Sequence, residues 1–121
     1  ITTKIEHPAI FNPAIFLIEN GWDVTFLPVD QYGFLDPDEV KKAIRKDTVL
    51  ISVMHANNET GTIQPIKEIG LIARDHGILF HTDAAQSVGK IETKVHDLGV
   101  DFLTIAGHKI YAPKGVGALY I

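Results

Sequence analysis

Three stretches of nearly unbroken apolar sequence constrain this chain most: "TVLISVMH" (48–55), "ILFHT" (78–82) and "DFLTIA" (101–106), each halting at polar residues. Runs of this length and composition suit strands covered on both faces. The segments between them have helical spacing. "DPDEVKKAIRK" opens with Asp36 as a cap, Pro37 at the first helical position and acids in the first turn, and closes on Arg45 and Lys46, so its charges suit the helix dipole at both ends. "PIKEIGLIARDHG" puts Ile66, Ile69 and Ala73 on one stripe, with Pro65 at its start and Gly77 at its end. Strands alternating with helices define βα units, so the expected fold is α/β with a mainly parallel sheet and flanking helices.

The rest of the chain fits the same scheme. "ITTKIE" and "DVTFLPV" read as strands, and "GALYI" as a last one. "HPAIFNPAIFLIENG" reads as a helix beginning at either Pro8 or Pro13, with Gly21 as its stop. No linker interrupts the series, so one domain is expected. With 121 residues, 45% hydrophobic and 21% charged, the composition is that of an ordinary globular domain. A net charge of −4 without a Lys/Arg cluster argues against a nucleic-acid partner. No apolar run reaches the length of a membrane span and no leader pattern opens the chain, so a cytoplasmic or organelle-matrix location is expected. There is no cysteine, so any sulfur nucleophile must come from outside these residues. Both ends read as strand-like sequence cut short, as in the central fragment (1–121) of a larger domain.

In open α/β sheets ligands bind outside the carboxyl ends of the strands. The residues there are His7, then His55 with "ANNETG", then "TDAAQ", then "GHK". Four of the chain's six histidines fall at strand ends. Lys109 leaves a strand read as buried, where low dielectric would lower its pKa and free its amine to condense with a carbonyl. Asp83 directly follows "ILFHT"; a carboxylate there needs a cation or several donors, and it can equally cap the turn that follows. Gln86 shares a face with Asp83 if 83–88 form a helical turn. Asn58 lies in a turn-forming cluster, and His7 is an amphipathic ring at a strand end.

Five motifs together resemble the cysteine desulfurase and selenocysteine lyase family, pyridoxal phosphate (PLP) enzymes of the aspartate-aminotransferase fold. They are "EH" (6–7), "MHANNETG" (54–61), "HTDAAQSVGK" (81–90), "DLGVDFLTIAGHK" (97–109) and "YAPKGVGALYI" (111–121). The resemblance implies that Lys109 binds the cofactor aldehyde and shuttles protons. It implies Asp83 as partner of the pyridinium nitrogen, Gln86 and Asn58 as donors near the ring's phenolic oxygen, His7 as the imidazole stacked on the ring and a possible acid or base, and His108 as a phosphate contact. Ala106 stands where many cysteine desulfurases carry a serine that touches the phosphate.

The resemblance also implies parts that these residues do not contain: a phosphate-cupping turn before Ile1, and a loop cysteine and a carboxylate-binding arginine after Ile121. The implied activity removes sulfur or selenium from L-cysteine or L-selenocysteine, leaving L-alanine and an enzyme persulfide that passes to an acceptor protein. It further implies a homodimer, and a fragment that is inactive alone. Two alternatives stand beside it: another PLP enzyme of the same fold, such as an aminotransferase or lyase, and a non-catalytic metal module built on His55, His81, Asp83 and His108.

Overall fold

A computed structural model describes all 121 residues. In chain order the elements are β1 (Thr2–Thr3), α1 (Pro8–Glu19), β2 (Phe26–Leu27), α2 (Pro37–Ala43), β3 (Leu50–Ser52), α3 (Ile66–Asp75), β4 (Leu79–Asp83), α4 (Val95–Leu98), β5 (Phe102–Ala106), a 3-10 turn (Gly107–Lys109) and β6 (Gly117–Tyr120). β1 and β2 pair in parallel, as do β3 with β4 and β4 with β5. Ile1 donates to the Leu50 carbonyl and accepts from Ser52 N–H, both at 2.9 Å, which sets β1 beside β3. The strands therefore lie in the order β2-β1-β3-β4-β5-β6. From β1 the chain crosses outward to β2, and from β3 it crosses the other way to β4, so the direction of winding reverses between β1 and β3.

The expected α/β fold with a mainly parallel sheet is present, with one strand turned: β6 runs antiparallel to β5. Its four residues are all exposed. β3 is much shorter than the apolar run that announces it, although pairing continues past it, where Val53 N–H and His55 N–H bond the His81 and Asp83 carbonyls at 3.1 and 2.9 Å.

Helix ends follow from their residues. Asp36 caps α2, its Oδ1 accepting from Asp38 N–H at 2.9 Å. α1 begins at Pro8 and runs through Pro13, which settles the choice left by two prolines. Its cap is His7, whose Nδ1 accepts from Ala9 N–H at 3.1 Å. α4 has only four residues and ends on Gly99 at φ 67°, the left-handed conformation that glycine adopts without strain.

The apolar core occupies one face of the sheet. Phe80, Ile51, Val53 and Leu103 meet Val40 of α2 and Ile66, Ile69 and Ala73 of α3 there, most of them fully buried. The opposite face differs from expectation, since hydrogen bonds rather than apolar packing dominate it. His81 of β4 bonds the Ser52 hydroxyl through Nδ1 and the Thr104 hydroxyl through Nε2, each at 2.8 Å, tying three strands together. α1 covers this face incompletely, leaving a cleft of about 680 Å³ bordered by Leu17, Trp22, Ser52 and His81.

Candidate functional site

Each residue assigned to the cofactor site lies at the carboxyl end of one of four adjacent strands, whereas His81, expected at a strand end, is the central residue of β4. His7 follows β1, Asn58 follows β3, Asp83 ends β4 with Gln86 just beyond, and His108 and Lys109 follow β5. This is the edge where parallel sheets place ligands, and it includes the reversal between β1 and β3.

Asp83 is buried, and its Oδ1 accepts from Ala85 N–H at 2.9 Å while the other carboxyl oxygen makes no hydrogen bond. The capping role therefore consumes one oxygen and leaves the second for a cation. The turn after Asp83 is helical, with Ser87 and Val88 N–H both bonding the Ala84 carbonyl at 3.1 Å. Gln86 is half-buried, and its Oε1 accepts from Lys90 Nζ at 2.8 Å. Its amide nitrogen keeps both N–H donors unspent.

Because the His7 Nδ1 accepts a backbone N–H, it carries no proton of its own. A neutral His7 ring thus presents Nε2–H on its other side. The ring is exposed.

Lys109 is exposed as well, which corrects the expectation of a lysine desolvated by a buried strand. β5 is half-buried at its end, and Lys109 completes the short 3-10 turn outside it. Within these residues nothing desolvates its amine. His108, beside it, is equally exposed. Gly107 anchors this turn, donating to the Val116 carbonyl at 2.9 Å and accepting from Ala112 N–H at 3.0 Å.

Asn58 is exposed and its side chain is unbonded, whereas its neighbour Asn57 is buried and builds the loop. Asn57 Oδ1 accepts from Glu59 N–H and Thr60 N–H, both at 2.9 Å, and Asn57 Nδ2 donates to the Ile5 carbonyl at 3.0 Å. Two adjacent asparagines thus divide the work, one holding the loop and the other presented by it. Glu6, quoted in the sequence only as the companion of His7, is buried at the same edge. Burial drives its carboxyl up to about 7 in spite of hydrogen bonds from Met54 N–H and the Thr3 hydroxyl.

His55 and His81 are both pulled below the usual histidine range by burial. His81 spends both ring nitrogens on Ser52 and Thr104. No group of three or more His, Cys, Asp or Glu side chains is arranged to hold a metal ion. The metal-module alternative built on His55, His81, Asp83 and His108 is therefore withdrawn.

A mainly parallel α/β sheet with an acid, amides, imidazoles and a lysine on consecutive strand ends defines the class: an α/β protein with a polar cluster at its sheet edge. The model of the family described as Aminotransferase class-V matches residues 1–121, and the chain belongs to that family. The family is PLP-dependent. The chain is 60% identical over its whole length to the cysteine desulfurase IscS of Dictyoglomus turgidum, of which it covers 31%. It is 54% identical to the mitochondrial cysteine desulfurase of Candida maltosa, covering 25% of that protein. Among solved structures, one described as SspA in complex with cysteine superposes with a TM-score of 0.97 at 48% identity, over 99% of this chain and 35% of that one. The chain thus spans about a third or less of the curated relatives it matches.

The side chains present fit the cofactor. The site offers an unbonded amine at Lys109, a buried carboxylate with one free oxygen at Asp83, and unspent donors at Asn58 and Gln86.

Proposed function

We propose that residues 1–121 form the central part of the PLP-binding large domain of a cysteine desulfurase-like enzyme, acting on L-cysteine or L-selenocysteine to give L-alanine and an enzyme persulfide. The observation that carries this reading is the order of groups along four neighbouring strand ends: imidazole, amide, carboxylate, then lysine.

When bound, PLP supplies an aldehyde that takes up an amine and a ring that draws electrons from it. Lys109 Nζ would hold that aldehyde, and its amine would carry a proton to or from the substrate. The free oxygen of Asp83 would hold the proton on the ring nitrogen, the buried acid and the ring cation each compensating the other's desolvation. Asn58 and the Gln86 amide would donate to the phenolic oxygen. His7 would stack on the ring and could serve as an acid or base through Nε2, and His108 would contact the phosphate. Ala106 offers no hydroxyl to that phosphate.

The sulfur-accepting cysteine, the substrate's carboxylate clamp and the phosphate cup belong to parts of the enzyme outside these residues. The reading carries with it a homodimer, a protein that accepts sulfur or selenium, and a cytoplasmic or organelle-matrix setting. No helix here is long and apolar enough to cross a membrane. The 121-residue segment alone should release no alanine from cysteine.

Borohydride reduction of the full-length protein, followed by peptide mass mapping, tests this directly. A phosphopyridoxyl adduct on Lys109 that is lost in Lys109→Ala supports the reading. A folded protein supplied with PLP that yields no adduct refutes it. Alanine and persulfide from cysteine then separate a desulfurase from an aminotransferase, which would yield a keto acid instead.

A further inference from the structure

Glu6 is an acid at the sheet edge that the chemistry above leaves unused. It lies just past β1 and is 7% exposed. Its Oε1 accepts two hydrogen bonds, from the Thr3 hydroxyl at 2.8 Å and from Met54 N–H at 2.9 Å, while Oε2 is buried with no partner. The Met54 bond crosses from the end of β1 to the end of β3, over the point where the winding of the sheet reverses. A second bond crosses beside it, from Asn57 Nδ2 to the Ile5 carbonyl at 3.0 Å. His7 and Asn58 directly follow the two residues, Glu6 and Asn57, that make these bonds.

The arrangement also states which form of the acid it accommodates. An ionised carboxylate would leave charge on a buried oxygen that no protein donor reaches, a cost of several kcal/mol. A neutral acid keeps both accepted bonds on Oε1 and leaves only an uncharged hydroxyl unpartnered.

We propose that Glu6 is a positioning residue: as a neutral acid it bolts the turn carrying His7 to the end of β3, and losing its proton, although it strengthens Oε1 as an acceptor, leaves charge on the buried Oε2 that only local opening of the bolt to solvent relieves. The inference rests on the roles of His7 and Asn58 given above. Burial is the main force holding the proton on Glu6, against the Met54 and Thr3 hydrogen bonds, which favour the ionised form, and repulsion from Asp83 on β4 adds to burial. Lys4 and His7 flank Glu6 in the turn, both exposed. His55, next to Met54 on β3, is pushed down by burial and so stays neutral.

The test compares wild type, Glu6→Gln and Glu6→Ala in the full-length protein by two measurements, hydrogen exchange at the Met54 amide and the pH dependence of the bound cofactor's absorption. Glutamine keeps the acceptor on the bolt and cannot ionise. In wild type, Met54 exchange, corrected for its intrinsic rate, should accelerate about tenfold or more as pH rises from 4.5 toward about 7 and level off above it, whereas Glu6→Gln stays protected throughout. Glu6→Ala should exchange about tenfold faster at every pH and lose about ten- to a hundredfold in kcat with little change in KM. The absorption of wild type should show a step near pH 7 that Glu6→Gln lacks. Met54 exchange that follows pH identically in wild type and Glu6→Gln overturns the proposal, as does wild-type protection in Glu6→Ala. If the alanine variant fails to fold, wild type against glutamine decides. A full-length protein with no cofactor band refutes the PLP reading instead, and Met54 exchange still decides the bolt.

Discussion

Gly107→Ala tests whether the turn that presents Lys109 is held by backbone contact. A Cβ on Gly107 would lie 2.7 Å from the Val116 carbonyl oxygen and 3.2 Å from Ala112 Cβ. A comfortable carbon–oxygen contact is about 3.3 Å, so the Val116 backbone must retreat by roughly 0.6 Å. That same carbonyl accepts the Gly107 N–H at 2.9 Å, so the retreat lengthens the bond anchoring the turn. Overpacking costs about 1–3 kcal/mol and a weakened buried hydrogen bond about 1 kcal/mol, giving about 2–4 kcal/mol of local destabilisation. Ile110 and Ala112 both donate to the Gly107 carbonyl, and their amides report on the turn. In the full-length protein their exchange should accelerate about thirtyfold to several hundredfold, and borohydride trapping at Lys109 should fall with it. Gly115→Ala is the control: its added Cβ meets nothing within 4 Å and its penalty comes only from φ +84°, about 1 kcal/mol. If Gly107→Ala exchanges like wild type, or no faster than Gly115→Ala, the contact argument is wrong.

The adjacent asparagines should separate stability from cofactor retention: Asn57→Ala removes a five-bond hub and costs about 2–4 kcal/mol in denaturant titration. Asn58→Ala should leave that titration unmoved while PLP dissociates faster in dialysis. The pH dependence of unfolding has two opposed parts. Glu6 binds its proton more tightly folded than unfolded, so its contribution is full below 4.5 and is lost as pH rises through about 7, a change of about 3 kcal/mol. His55 and His81 act oppositely, because burial lowers both below 6.5 and stability is gained as pH rises toward that value. Glu6→Gln should therefore show a stability that rises with pH between about 5 and 6.5, where wild type is flatter or falls; parallel curves for the two would contradict the assignment. In α3, Gly70→Ala brings a Cβ within 2.6 Å of the Leu98 carbonyl oxygen, and the overpacking, about 1–3 kcal/mol, should outweigh the gain of about 1 kcal/mol in helix propensity. A more stable Gly70→Ala protein would show that α4 yields easily.

The sequence made the class of fold and the location of the site readable, because both depend on strong local signals. Apolar runs marked the strands, and Asp36 announced the start of α2 through a side-chain bond to its own first turn. The polar clusters after those runs marked the edge where side chains converge. What was not readable depends on partners distant in sequence. An apolar run does not state its direction, and β6 is turned by its pairing with β5. α4, with four residues, is too short for a period to show. Lys109 looked buried because the run before it is apolar, yet its exposure is set by where the chain turns after β5. Nothing local distinguishes Asn57 from Asn58, or marks Glu6; their roles arise from contacts with Ile5 and Met54, 52 and 48 residues away.

Those long separations bear on the order in which the molecule is assembled. β3, β4 and β5 are each followed in the chain by their neighbour in the sheet, and bonds between them close segments of 21 to 29 residues. The seam between β1 and β3 closes spans of 48 to 52 residues, and longer closures carry the greater entropic cost and slow folding. β3 to β6 can therefore form as a growing array, while β1 with α1 docks onto an edge already made. Asp83 and Lys109 arrive on the early array and His7 arrives with the late strand, so a half-folded chain can display the lysine but cannot close the site around it.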